Sequence, residues 1–439
     1  MCGCILVKMN ITIVQGAVWF AYFVSLFFLI YWLLFFIEKK NFLKIELIKK
    51  RAKLENFPTV TISVPAYNEE KNILKTLRSL VELDYPRDRF EIVVVNDCST
   101  DATRKIVNKF IRDNKKQKKY ANVNIRLINH KVNKGKAGGL NTAIENSDAE
   151  FFSCIDADSA IDKDALLYMI NDMVKDRDLA IVTPVMKVDS PKNWIQKFQR
   201  IEYMSSMFVA RLMGHIDSIY VAPGPFSVYR MSALKKLGKF DGRRNIEDQE
   251  IAWRAQKHHL KMRQCVHAYV YTIAPDTMKG FTRQRTRWYR GAIMTIYDYK
   301  ELAFNKKYGD FGMFQIPLMI FSYVLSFIAL IAIGYYLIKP IYQYIYNLFL
   351  IKFDILTQLK NMHFNFSILD IEVMQIVMIY SALFIAVLML YFASRHTNDR
   401  VRKYGSIYII PYFFLYYIMV SIIVIKSIVE IIFRKKQKW

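Results

Sequence analysis

Cysteine is scarce in this sequence. The five present, Cys2, Cys4, Cys98, Cys154 and Cys265, are odd in number and lack the doubled spacing of a zinc site. They read as reduced thiols of a cytosolic domain, which sets aside a disulfide framework. Histidine is also sparse, with seven residues and no HExxH pattern, so a histidine-built metal centre has no support. The GxxxxGK[ST] order of a phosphate-binding loop is missing, which removes the signal for nucleoside triphosphate hydrolysis. Acid is short too: 38 Asp and Glu stand against 63 Lys and Arg, a formal charge of +25. That balance suits a protein lying against anionic lipid while handling an anionic substrate. Nucleic acid is the rival explanation, but much of the excess flanks apolar runs, at Lys39, Lys40, Lys44, Lys49, Lys50 and Arg51 and in the tail Arg434, Lys435 and Lys436. Membrane flanks therefore take precedence, and no nucleic-acid partner is expected. Internal repeats and long disordered stretches are likewise missing.

What the sequence does contain is long apolar runs around a polar middle. Its 439 residues accommodate one catalytic domain and a separate membrane portion. The run Ile11 to Ile37 exceeds the roughly 20 residues that cross a bilayer. It reads as a spanning helix and not as a cleaved signal peptide: it outruns a normal apolar signal core, and the basic cluster follows it. Excess positive charge marks the cytoplasmic side, so the chain after this helix is expected there. Further runs at Met313 to Ile338, Val373 to Ala393 and Ile407 to Ile425 are three more candidate spans. The basic stretch Arg395 to Lys403 and the basic tail after Phe433 conflict on the side of the C-terminus. An interfacial tail, a re-entrant segment near Pro411 or another crossing around Ile341 to Ile351 would each resolve it. The resulting division is a membrane helix over 1–40, a basic linker over 41–57, a catalytic domain over 58–300 and a membrane region over 301–439.

Between Pro58 and Tyr299 the apolar runs shorten to strand length and alternate with helix-length polar stretches, the pattern of an α/β domain. Thr59 to Ala66, Phe90 to Asn96, Asn122 to Asn129, Ala149 to Ile155 and Leu179 to Met186 are the expected strands. They imply a mostly parallel sheet covered on both faces. Ligands of such sheets bind beyond the carboxyl ends of the strands, where Asp97 and Asp156 fall.

Five constellations carry chemistry. Asn96-Asp97-Cys98-Ser99-Thr100-Asp101 follows a strand and opens a helix, which by itself is also what an ordinary capped turn looks like. Asp156-Ala157-Asp158 sets two carboxylates one residue apart after an apolar strand. Their repulsion is relieved by a hard divalent ion, Mg²⁺ or Mn²⁺, shared with substrate phosphates. Asn133-Lys134-Gly135-Lys136-Ala137-Gly138-Gly139-Leu140-Asn141 supplies glycines for close backbone approach and Lys136 for a phosphate or for pocket structure. Glu247, Asp248 and Glu250 stand at a helix start, where the helix dipole alone would favour acids. The functional reading makes Asp248 a general base for an incoming hydroxyl. Finally, Gln284 and Arg287 are three apart on one helical face, placed to reach a diphosphate, while Trp288 offers a flat ring to a sugar.

Taken in order, NDCSTD, NKGKAGGLN, DAD, GPFSVYR, IED and QRTRW resemble the processive branch of glycosyltransferase family 2, over about residues 58 to 300 and into the flanking membrane runs. Cellulose, chitin, hyaluronan and poly-N-acetylglucosamine synthases belong to that branch. The resemblance implies a GT-A type, Rossmann-like α/β domain inserted between transmembrane helices, in a multi-pass protein of the cell membrane with its catalytic domain in the cytoplasm. It assigns Asp97 to the nucleotide base, Asp156 and Asp158 to the diphosphate and metal, Asp248 to base catalysis, and Gln284, Arg287 and Trp288 to the acceptor end. Lys136 and Glu247 join the substrate-binding set. The implied reaction is inverting transfer from a UDP-sugar, with an N-acetylhexosamine preferred because GPFSVYR is closer to chitin and hyaluronan type synthases. The acceptor is a glycan or, alternatively, a glycolipid; a non-catalytic scaffold of the same fold is the remaining alternative, and an accessory subunit stays open. Two departures stand out: Asn96 replaces a common first Asp, and His259 replaces a helix-ending Gly.

Overall fold

The computed structural model describes residues 2–47, 54–116, 122–243, 246–350, 373–400 and 405–434. Lys49, Lys50 and Arg51, most of the basic tail, and the side chains of Cys2 and Cys4 lie outside the described set.

Strands form from β-branched and aromatic runs, which fit a pleated, buried surface. They are β1 (Val60–Ala66), β2 (Phe90–Asn96), β3 (Asn124–Asn129), β4 (Phe151–Cys154), β5 (Ala160–Ile161), β6 (Leu179–Val188), β7 (Val228–Arg230) and β8 (Lys261–Thr272). All eight join one sheet in the order β3-β2-β1-β4-β7-β6-β8-β5. Pairs β1–β2, β1–β4, β2–β3 and β6–β8 are parallel, whereas β4–β7, β6–β7 and β5–β8 are antiparallel. The expected mostly parallel sheet is thus corrected to a mixed one. The cause is β7, three residues long, which inserts antiparallel between β4 and β6 and brings its preceding loop beside the end of β4.

After α1 (Cys2–Leu47), which packs with the apolar helices, helices α2 (Ile73–Val81), α3 (Thr103–Lys116), α4 (Gly135–Glu145), α5 (Ala165–Lys175), α6 (Trp194–Gly214), α7 (Met231–Leu237), α8 (Glu247–Lys257) and α9 (Met278–Asp298) surround the sheet and its carboxyl edge. Because side chains alternate across a strand, β2 sends Ile92 and Val94 into one core and Val93 and Val95 into the other. The first core lies under α2 and α5. The second takes in α4 and α6 and continues into the apolar helices through Trp32, Phe36, Leu390, Ala393, Tyr412 and Tyr416.

Among the described residues, four helical stretches are long and apolar enough to cross a membrane: Ile13–Asn41, Phe311–Leu350, Ile376–His396 and Ser406–Ile432. The first belongs to α1, which continues to Leu47, so the linker boundary expected at residue 41 falls inside a helix. The second holds 40 residues, about 60 Å at 1.5 Å per residue. Of the stretch Ile341 to Ile351, residues Ile341–Leu350 continue that helix, and Ile351 lies outside the described residues.

Polar contacts dock the sheet domain on these helices. On α6, Arg200 pairs through two nitrogens with Asp399, and its Nη2 also donates to the Arg400 carbonyl at 2.7 Å. Arg211 Nη2 donates to the Leu43 carbonyl at 2.7 Å, and its Nη1 meets His396 Nδ1 at 2.7 Å. The Arg200 side chain is 3% exposed and that of Asp399 15%. Removing one partner strands the other charge in a place water does not reach, at a cost of about 3–5 kcal/mol. Asp399→Ala is accordingly expected to lower the unfolding midpoint in detergent and expose the α6 junction to limited proteolysis, while a change on the exposed helix surface, such as Tyr380→Phe, leaves both unchanged.

Candidate active site

Three parallel strands, β1, β2 and β4, end side by side, and each releases a polar turn at its carboxyl end. After β4 comes Asp156. Beside it lies the loop before β7, held by Phe226 N–H donating to the Cys154 carbonyl at 2.6 Å and by Ser153 Oγ donating to the Ser227 carbonyl at 3.1 Å. The same loop reaches the acidic motif, where Ala222 N–H donates to the Asp248 carbonyl at 3.1 Å. On the far side, α9 lies so close to the start of α8 that a Cβ on Gly291 would sit 2.6 Å from a methyl carbon of Ile246. Four motifs far apart in the chain therefore share one cleft.

Lys136, in the first turn of α4, ties them together. Its Nζ lies 2.5 Å from Asp156 Oδ1 and 2.9 Å from Glu247 Oε1. Burial opposes the ammonium charge, but Asp156, Glu247 and Asp248 around it raise its pKa well above the lysine norm. For Glu247 the balance is reversed in sign: burial pushes the carboxyl up, and Lys136 overcomes this and holds it below the usual range. Asp248, the next residue, has no such partner. Burial first and the Glu247 charge second raise its pKa to about 6, against the lowering pull of Lys136 and Arg287. Its side chain is partly exposed, and Oδ1 accepts the Gln249 N–H at 2.9 Å. Of the two neighbouring acids, Glu247 is neutralised by a lysine and Asp248 is left with the character of a base.

Asp158 also titrates high, at about 6, through burial and then the charges of Asp156 and Glu69. Among the described residues no group of three or more His, Cys, Asp or Glu side chains is arranged to hold an ion. Asp156 and Asp158 alone fit a hard divalent cation of the kind that takes one or two carboxylates and completes its shell with phosphate and water. The uncompensated negative charge at Asp158 is what such a cation would neutralise. Glu69, whose pKa is raised by burial with Asp156 and Asp101 contributing, was not anticipated from sequence. It lies three residues past the end of β1, in the turn beyond the strand's carboxyl end, as Asp97 and Asp156 lie in the turns beyond β2 and β4.

Asp97, which the resemblance assigns to the nucleotide base, follows the carboxyl end of β2 directly. It is 3% exposed, and its carboxylate accepts Lys134 N–H and Gly135 N–H, each at 2.8 Å, and meets His130 Nδ1 at 2.7 Å. Both oxygens are engaged by the protein, so Asp97 braces the turn that presents Lys136. Asn96 likewise is structural, its amide donating to Asn129 Oδ1 at 2.9 Å and its carbonyl accepting Ser99 N–H. His259 adopts the left-handed conformation (φ 53) that ends α8, with Leu260 N–H donating to the Ala255 carbonyl and His259 N–H to that of Gln256. Cys154 is buried against the Gly224 carbonyl, and burial pushes its thiol up to about 12.

On α9 the structure brings Arg287 within electrostatic reach of Glu247 and Asp248. Gln284 Oε1 is buried without a partner among the described residues. Trp288 packs beside Val188, Tyr203 and Ala274 and stays partly exposed.

Residues 61–238 match the family described as Glycosyl transferase family 2, and residues 151–420 match Glycosyl transferase family group 2. The chain belongs to this glycosyl transferase group. Among curated relatives, poly-beta-1,6-N-acetyl-D-glucosamine synthase of Staphylococcus epidermidis is 31% identical over 278 residues, 62% of this chain and 64% of that protein. Probable glycosyltransferase YdaM of Bacillus subtilis is 31% identical over 287 residues, 64% of this chain and 66% of YdaM. The matched region thus spans just under two thirds of these relatives. Among solved structures, mannosyltransferase PcManGT from Pyrobaculum calidifontis, in complex with GDP-Man and Mn²⁺, aligns over 97% of this chain and 99% of its own with a TM-score of 0.62 and 18% identity. That likeness is one of fold, and with the family match it bears out the expected GT-A type fold of a family 2 enzyme.

In this glycosyl transferase, Gly224 is where the loop before β7 presses on the charged cluster. A Cβ there would collide with Lys136 Nζ and lie 3.3 Å from Asp156 Oδ1. The lysine end can move aside, so Gly224→Ala is expected to fold normally. Moving Lys136 by about an ångström is expected to reduce turnover on the order of 10²-fold, measured as product formed at saturating donor beside an unchanged circular-dichroism melt.

Proposed function

We propose that the chain transfers a sugar, with inversion, from a UDP-N-acetylhexosamine to the end of a growing glycan at a membrane surface. The observation that carries this reading is the Lys136 bridge between Asp156 and Glu247, which leaves Asp248 as the unpaired acid beside a carboxylate pair suited to a diphosphate and its cation. The S. epidermidis relative, named as a synthase of an N-acetylglucosamine polymer, supports both the sugar and the polymeric product.

In this reading Asp248 removes the proton of the acceptor hydroxyl as that oxygen attacks the anomeric carbon. The bond to the donor diphosphate breaks on the opposite face, and the diphosphate leaves with the electron pair. Asp156 and Asp158 would hold Mg²⁺ or Mn²⁺, which when bound neutralises charge on the donor phosphates. Arg287 adds a fixed positive charge on the same side, stabilising the leaving group without reorganisation. Gln284 hydrogen-bonds the acceptor and Trp288 stacks on its terminal sugar. The four apolar helices hold the domain on the bilayer, and growth of the glycan from that surface gives it a route outward.

Turnover of labelled UDP-N-acetylglucosamine, UDP-glucose and UDP-galactose by the protein in lipid nanodiscs, with and without Mn²⁺, tests the reading. Long labelled polymer from the N-acetylated donor alone is expected; short lipid-extractable product would replace the glycan acceptor with a glycolipid, and no turnover of any donor would refute transfer. Asp248→Asn is expected to lower the rate about 10²–10⁴-fold, the range for loss of a general base. Asp248 works only when ionised, so the wild-type rate should fall as pH drops through about 6, not near 4 as for an ordinary aspartate. A flat profile down to pH about 5 would remove Asp248 from the role.

A further inference from the structure

Arg285, between Gln284 and Arg287 on α9, takes no part in the reading above. It is 0% exposed, among the largest fully buried side chains of the protein. Its Nη2 is paired with Glu202 on α6. Its guanidinium carbon lies 4.1 Å from the centroid of the Trp288 ring, 5.1 Å from that of Phe281 and 5.9 Å from that of Tyr203. Nε and Nη1 have no hydrogen-bond partner among the described residues.

For packing alone this is a poor choice. A buried ion pair rarely outperforms apolar side chains of the same volume, and two unpaired N–H donors add a desolvation cost. What an arginine supplies and an aliphatic chain cannot is a flat cation that lies on an aromatic face. Arg285 and Trp288 are three apart on α9, so they share a side of the helix, and Glu202 on the neighbouring helix fixes where the guanidinium sits. Trp288 itself stays partly exposed and is not enclosed on every side. The residue continues the junction with the apolar helices too: Phe281 packs on Tyr416 at 5.9 Å between ring centroids, and Tyr416 lies at the foot of the Tyr417–Ile432 helix.

We propose that Arg285, held by Glu202, is a positioning residue that fixes the Trp288 indole for the terminal sugar of the acceptor and so governs acceptor binding without touching donor chemistry. This rests on the reading of Trp288 as the acceptor platform.

The test uses the full chain in nanodiscs with UDP-N-acetylglucosamine as donor and short N-acetylglucosamine oligosaccharides as acceptor, measuring acceptor KM, donor KM and the slow hydrolysis of donor in the absence of acceptor. Arg285→Lys keeps the charge toward Glu202 and loses the planar face. It is expected to raise acceptor KM about tenfold, with donor KM and hydrolysis unchanged. Glu202→Gln, which preserves shape and releases the guanidinium, should shift acceptor KM in the same direction by less, and it serves if the lysine variant does not fold. Trp288→Ala separates the two ideas. If it leaves acceptor KM unchanged, the platform reading fails and this inference with it. If Trp288→Ala raises acceptor KM while Arg285→Lys and Glu202→Gln do not, the inference alone is overturned. A parallel loss of donor hydrolysis in the Arg285 and Glu202 variants would also overturn it, since it would mark a general structural role.

Discussion

The ammonium group of Lys136 sits between Asp156 Oδ1 and Glu247 Oε1, and the organisation of the cleft follows from that placement. Without a cation there, the carboxyl end of β4 and the amino end of α8 would bring Asp156, Glu247 and Asp248 together with only Arg287 to offset their mutual repulsion. With it, Glu247 is neutralised, Asp156 is oriented, and the remaining negative charge is concentrated on Asp248 and Asp158, both of which titrate near 6. The lysine is in turn placed by Asp97, which accepts two backbone amides at the entry to α4 and is itself gripped by His130. One buried electrostatic network thus assigns different chemistry to carboxylates that look alike in the sequence.

Much of this was legible beforehand. β1, β2, β4 and β6 lay where β-branched runs indicated, because strands buried on both faces read as continuous apolar segments. Asp97 and Asp156 were singled out by the rule that ligands gather beyond strand ends, and the acids opening α8 by their place at a helix start. Three strands were not found. β5, Ala160–Ile161, is two residues long and too short to show a period. β7 is three residues long and reads as a loop, and β8 opens with Lys261 and Arg263, whose charges hide the alternation that follows in Ala268, Val270 and Thr272. Roles that depend on a partner distant in sequence were also out of reach. Nothing local says that Lys136 meets Glu247, that Asp97 is consumed by its own loop, or that Arg285 lies on Trp288, because each depends on how α4, α8, α9 and α6 meet in space.

The sheet domain and the apolar helices form a continuous packed unit. One of the two cores extends from β2 and β4 through α6 into Trp32, Phe36, Leu390 and Tyr416. Polar anchors at Arg200 and Arg211 on α6 reach Asp399, His396 and the backbone of α1, and Arg290 on α9 reaches Glu430 at 3.0 Å. The helix bearing Gln284, Arg287 and Trp288 is therefore fixed at one end by the acidic motif and along its length by the membrane-type helices. In the proposed reaction this arrangement would hold Trp288 in a constant relation to the apolar helices while the glycan grows.

The central claim is that Asp156 and Asp158 serve donor binding and Asp248 serves chemistry. Calorimetric titration of UDP into the nanodisc-embedded protein, with and without Mn²⁺, separates these roles. The account predicts metal-dependent UDP binding that is lost in Asp156→Asn and retained in Asp248→Asn. Equal UDP affinity in wild type and Asp156→Asn, or loss of binding in Asp248→Asn, would contradict it.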